Sequence, residues 1–122
     1  MRTALSSLLL AVALLIAGEA RPASQPSADT SPRRIVSLVP ATTEMLYAMG
    51  AGSRLIGVGS YDRFPPEVES LPKLGGLLDP NTEQLLALRP DLVIVYDTQA
   101  ELRQRLERAR IPMWSYSLKA LP

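Results

Sequence analysis

From residue 34 onward, short β-branched runs alternate with stretches in which apolar side chains recur every three or four positions. Ile35, Val36 and Leu38 form the first run, which Pro40 ends. Residues 42–49 then set Met45, Leu46 and Met49 at helical spacing before Gly50, so a strand, a loop and a helix are expected. Residues 55–59 supply a second strand, and the Pro-bearing segment SYDRFPPEVESLP at 60–72 reads as a loop with one helical turn around 67–70. A further helix is expected at Asp79, Pro80 and Asn81, where Asp or Asn caps the free amides and Asp79 is the simpler cap, with Leu85, Leu86 and Leu88 as its buried face and Pro90 as its stop. Residues 91–96 are too continuously apolar to be half exposed, which predicts a central strand of a parallel sheet. Thr98 to Glu101 has the spacing of a capping box, followed by a stripe of Leu102, Leu106 and Ala109, and residues 111–116 close with a last strand. Strands alternating with helices at these distances predict βαβ units, a mostly parallel sheet and helices on both faces, an α/β fold of three layers, αβα.

The flanking segments carry a different pattern. Arg2 and the free amine precede an unbroken apolar run at 8–17, and Gly18, Glu19 and Ala20 place small residues at both recognition positions of a signal peptidase. Residues 1–20 are therefore expected to be a cleavable export signal, since the run falls short of the roughly 20 apolar residues a spanning helix needs. No Cys is present to carry lipid at the new N-terminus, so the expectation is a periplasmic protein that is neither a lipoprotein nor inserted in the membrane after cleavage. Residues 21–33, rich in Pro, Ser and Ala, read as a flexible lead-in, and 34–122 as the folded lobe.

Composition narrows the chemistry. With 13 Lys and Arg against 12 Asp and Glu, the chain has no basic field for nucleic-acid phosphates or anionic lipid. It contains neither Cys nor His, so thiolate nucleophiles, imidazole bases and the commonest transition-metal ligands are missing together. The arginines at 103, 105, 108 and 110 are interleaved with Glu101 and Glu107, which is the pattern of a solvated helix face. Asp62, Asp79, Glu83 and Asp97 are carboxylates without a catalytic signature, and the glycines form no nucleotide-binding loop. No catalytic residue, metal site or cofactor is assigned.

Placement then indicates where a ligand would sit. In an open parallel sheet, ligands lie beyond the carboxyl ends of the strands. Those ends carry Pro40, Ala41 and Thr42, then Tyr61 and Asp62, then Tyr96 and Asp97. Tyr61 and Tyr96 offer flat apolar faces with polar tips, suited to a large ring-rich ligand, although each is more simply a half-buried tyrosine on these residues alone.

Three blocks resemble a known family. Residues 34–50 (RIVSLVPATTEMLYAMG), residues 61–66 with 71–75 (YDRFPP and LPKLG), and residues 81–93 (NTEQLLALRPDLV) are similar, in order and spacing, to the opening of the cobalamin, haem and ferric-siderophore binding proteins of ABC importers. Pro40, Ala41, Thr42 and Tyr96 lean towards the cobalamin-like branch. The resemblance implies two α/β lobes joined by a long helix, with a corrinoid or other metal chelate held between them and delivered to a permease. It implies ligand contacts from Pro40, Ala41, Thr42, Tyr61, Tyr96 and Asp97, and permease docking through Glu83. For haem, Tyr61 or Tyr96 would serve as iron ligand. The sequence ends at Pro122, where the linking helix is expected to begin. The expectation is therefore one lobe, truncated before the second, that binds chelate weakly and exposes apolar surface. The alternatives are a truncated remnant without function, or an α/β enzyme working with carboxylates.

Overall fold

A computed structural model describes residues 29–117 and residue 119. The expected export signal and most of the lead-in lie outside the described residues. The folded unit described below begins at Ser31.

Four strands, β1 (Ile35–Ser37), β2 (Leu55–Val58), β3 (Leu92–Tyr96) and β4 (Met113–Tyr116), form one sheet in the order β2-β1-β3-β4. Every neighbouring pair is parallel. Helices α1 (Pro40–Ala48), α2 (Thr82–Ala87) and α3 (Ala100–Arg108) make the crossovers, with short 3-10 turns at Gly52–Arg54 and Pro66–Ser70. β1 and β3 are the inner strands, which is why their runs are apolar on both faces instead of alternating. Side chains of alternate parity leave the sheet in opposite directions. Val36, Leu38, Val93 and Val95 pack with Leu85 of α2 and Leu102 and Leu106 of α3. Ile35, Val39, Leu55, Val58 and Ile94 pack on the other face with Val68, against Leu46 and Tyr47 of α1. The three-layer α/β fold expected from the sequence is the one observed.

The strand starts are pinned by charge. The carboxylate of Asp91 accepts from the backbone amides of Arg33 (2.9 Å) and Arg34 (2.9 Å), tying the entrance of β1 to that of β3. Desolvation acts to raise the Asp91 pKa, and these amides outweigh it and hold the group below the ordinary value. The Arg34 side chain donates to the carbonyls of Leu88 and Arg89, closing the C-terminal end of α2, where Arg89 adopts φ 51°.

Four local expectations are corrected. α1 begins at Pro40 and turns Thr42 and Thr43 towards the sheet, while Met45 and Met49 are exposed. The Thr43 hydroxyl, which donates to Ser37 Oγ at 2.9 Å, fixes that rotation. The cap of α2 is Asn81, whose side chain accepts from the Gln84 amide at 3.1 Å, whereas Asp79 accepts from the Gly76 amide at 3.2 Å. The capping box at 98–101 does not form: the residue at the N-cap is Gln99, whose side chain is engaged elsewhere. Ala109 is exposed because α3 ends at Arg108 and Arg110 turns the chain at φ 56°, so that Ile111 packs against the core instead.

Candidate functional site

The carboxyl ends of β1, β2 and β3 open onto one side of the sheet, where three loops meet. After β2, the Asp62 carboxylate folds back to accept from the Gly59 amide at 2.7 Å, and the Lys73 ammonium donates to the Asp62 carbonyl at 2.8 Å. This closes a tight turn that turns Tyr61 outward, leaving it 72% exposed. The Ser60 amide donates to the Gly75 carbonyl at 2.8 Å and the Gly75 amide donates back to Ser60 Oγ at 3.1 Å, joining the turn to the loop at 74–81.

Two glycines make that junction possible. Gly75 has φ 89°, and a Cβ there would lie 2.2 Å from the Asp79 carbonyl. A Cβ on Gly76 would lie 2.8 Å from a ring carbon of Tyr61, so the tyrosine rests directly on bare backbone.

Tyr96 ends β3 and stands half-buried, edge-on to Tyr116 with ring centroids 6.2 Å apart. Burial, with a smaller contribution from the Asp62 charge, raises its phenol pKa and keeps it neutral. Leu38, Pro40, Gly59, Tyr61, Gly75, Gly76, Leu77 and Tyr96 line a depression of about 100 Å³. An open hollow of about 530 Å³ bounded by Tyr61, Leu77, Leu78 and Asp79 adjoins it. Leu78, which bounds this hollow, is 93% exposed, so its edge there is apolar.

Of the residues expected from the sequence, Pro40, Tyr61 and Tyr96 come together here. Ala41 is exposed on the first turn of α1, and Thr42 is buried with its hydroxyl unpartnered; neither lines the depression. Asp97 is half-buried, its carbonyl accepting from the Arg103 guanidinium at 3.1 Å and its Oδ1 without a partner, and it too lies off the lining. Glu83 is exposed in the first turn of α2. Sequence reading missed Leu77, Gly75, Gly76 and Gln99 as site-forming residues; the adjacent glycines were the available signal for a close backbone approach. Among the described residues no group of His, Cys, Asp and Glu is arranged to hold a metal ion, and no helix is long and apolar enough to cross a membrane.

Residues 35–118 match the periplasmic binding protein family. An uncharacterized ABC transporter substrate-binding lipoprotein of Bacillus subtilis is 40% identical over 67 residues, 55% of this chain and 21% of that protein. The vitamin B12-binding protein of Pectobacterium carotovorum is 42% identical over 65 residues, 53% of this chain and 24% of that protein. Among solved structures, a periplasmic heme binding protein from Pseudomonas aeruginosa superposes with TM-score 0.66 at 30% identity, covering 71% of this chain and 32% of that one. The periplasmic vitamin B12 binding protein of Vibrio cholerae gives 0.63 at 30% identity, covering 73% and 35%. The matched part spans less than a quarter of these curated relatives and about a third of these structures. All four are binding proteins, which sets aside the carboxylate enzyme as an alternative. With the parallel sheet, the apolar hollow at its strand ends and a match over most of the folded unit, the chain belongs to the periplasmic binding protein family.

Proposed function

We propose that this chain supplies one wall of a cleft that captures a corrinoid or a related flat metal chelate, such as haem or a ferric siderophore, for an ABC importer in the periplasm. The observation that carries this reading is the convergence of Tyr61, Tyr96, Pro40 and Leu77 on one open apolar depression at the strand ends. Flat aromatic faces with polar tips suit a macrocycle's face. At about 100 Å³ the depression is far below the roughly 300–1,000 Å³ of an enclosing ligand site, so it covers one face of a ligand and leaves the other open. The segment at 1–20 serves as the export signal in this reading. The Bacillus relative is named a lipoprotein, whereas this sequence has no Cys for lipid attachment.

Titration of the purified chain with cyanocobalamin and with haem, followed by absorbance and by Trp114 fluorescence, tests the reading. Weak, saturable binding is expected, and Tyr61→Ala or Tyr96→Ala should each lower affinity about fivefold to tenfold, as truncating an aromatic contact costs about 1 kcal/mol or more. With haem, the raised Tyr96 pKa opposes phenolate formation, which leaves the exposed Tyr61 as the phenol to reach iron. An iron–phenolate absorption band should then vanish in Tyr61→Phe and persist in Tyr96→Phe. Absence of saturable binding for both probes, or binding untouched by either alanine variant, overturns the assignment.

A further inference from the structure

Gln99 occupies the N-cap position of α3, yet it makes no cap bond. It is only 6% exposed. Its Oε1 accepts from the Tyr96 amide at 3.0 Å. Its Nε2 donates to the Leu77 carbonyl at 3.0 Å and reaches the Gly76 carbonyl at 3.4 Å. Tyr96 at the end of β3 and Gly76 and Leu77 in the loop at 74–81 all line the apolar depression. One buried side-chain amide therefore satisfies a donor on the strand and acceptors on the loop, joining the two lining segments with a fixed length. Gln99 also lines a separate groove of about 460 Å³ between the loop at 77–80 and the start of α3. Leu77 lines both spaces, so the amide is part of the partition between them.

We propose that Gln99 is the positioning residue that sets the width of the depression this chain contributes to the ligand cleft, by holding Leu77 and Gly76 at a fixed distance from Tyr96. The inference rests on the chelate-binding reading above for what fills the cleft, though not for the clamp itself. A buried carbonyl that loses its donor is costly, and a flexible loop relieves that cost by moving out to water. Loss of the Nε2 donor should thus swing the Leu77 segment towards the groove and widen the cleft. A residue that merely starts a helix would change stability without any such movement.

Gln99→Glu separates these accounts, because its hydrogen-bonding capacity depends on pH. The ionised carboxylate still accepts from Tyr96 but offers no donor to Gly76 and Leu77, whereas the protonated acid supplies one acceptor for Tyr96 and one O–H donor for Leu77, restoring all but the longer contact to Gly76 that the amide's second N–H makes. Burial and the two facing carbonyls raise the introduced carboxyl above the ordinary value of about 4.3, which brings its titration into a measurable range. The charged groups that line the groove with it are Asp79 on the loop and Glu101 and Arg105 on α3, while Asp97 and Arg103 are bonded to each other close by in sequence and Asp62 acts on the Tyr96 phenol. Their own titration is cancelled by expressing every measurement as a ratio to the unsubstituted chain at the same pH. Gln99→Met, close in size and without donor or acceptor, is the pH-insensitive control.

Two readouts are followed from about pH 5 to pH 8, the window above the ordinary glutamate value: the NMR amide signals of Gly76 and Leu77, and cyanocobalamin affinity by titration. In Gln99→Glu the two signals should shift at high pH and return towards those of the unsubstituted chain at low pH. Affinity should be about tenfold weaker at pH 8 and recover at pH 5, the loss expected for one hydrogen bond to a buried group. Gln99→Met should be shifted and weak throughout. Unmoved Gly76 and Leu77 signals in both variants would overturn the clamp. Signals that titrate while the affinity ratio stays constant would overturn its role in setting the cleft. If the unsubstituted chain binds neither cyanocobalamin nor haem, the chelate reading fails, and the clamp is decided by the amide signals alone.

Discussion

Asp62 is 1% exposed, and only one of its carboxylate oxygens has a hydrogen-bond partner. Burial raises its pKa, and the Gly59 amide and the Lys73 ammonium offset only part of that rise. The folded chain thus holds this proton more tightly than the unfolded chain does. The group's contribution to stability is complete below its unfolded value of about 3.9 and is lost as pH rises through the folded value. Asp62→Asn keeps an acceptor for the Gly59 amide while removing the titration. The variant should gain in melting temperature relative to the unsubstituted chain as pH is raised from acid to neutral, as read by thermal melts across that range. A constant offset between the two curves would show that Asp62 does not titrate differently on folding. Asp91 drifts in the opposite direction, its lowered pKa giving stability that is lost as pH falls, but it is common to both proteins and cancels in the difference.

At the scale of elements, helices here are held by few side chains, and those are not always the most apolar ones. α3 carries Glu101, Glu107 and several arginines around two buried leucines, Leu102 and Leu106. α1 is more apolar in composition, yet it rests on Thr42 and Thr43 and leaves Met49 73% exposed. Leu106→Ala should therefore cost about 2–5 kcal/mol, the range for emptying a core leucine site. Met49→Ala should stay within about 0.5 kcal/mol, as surface changes do. Urea unfolding of the two variants checks both values, and a methionine cost equal to the leucine cost would contradict the observed rotation of α1.

For the whole molecule, the matched part corresponds to about a third of the periplasmic binding proteins it superposes on, and in the proposed reading its depression is one wall of a cleft. Delivery of a ligand to a permease requires an outer surface as well as a cleft. Glu83, exposed in the first turn of α2, is the residue proposed for that contact. A carboxylate there also meets the positive end of the helix, worth about 0.3–1 kcal/mol without any partner. Glu83→Arg in a complete transporter protein carrying this lobe distinguishes the two roles. Docking predicts lost uptake with ligand affinity and melting temperature preserved, since the substitution reverses the charge offered to the permease. A small fall in melting temperature with full uptake would leave Glu83 as a helix-start residue.

What the sequence determined by itself is the part encoded in local repetition. The continuous apolar run at 92–96 made β3 an inner strand, the alternation of runs and helical stripes made the sheet parallel, and the three motif blocks indicated the family before any coordinates. Tyr61, Tyr96 and Pro40 could be placed together at the strand ends, where they line one depression, because strand ends are legible from the same pattern. Only the tertiary structure decided which face of α1 is buried, that Asn81 and not Asp79 caps α2, and that Gln99 joins the end of β3 to the loop at 74–81 instead of capping α3. Periodicity reports geometry that repeats along the chain, whereas a polar side chain chooses among donors and acceptors brought together by folding. For Gln99 two of those partners lie 22 and 23 residues away in sequence, and no local signal marks them.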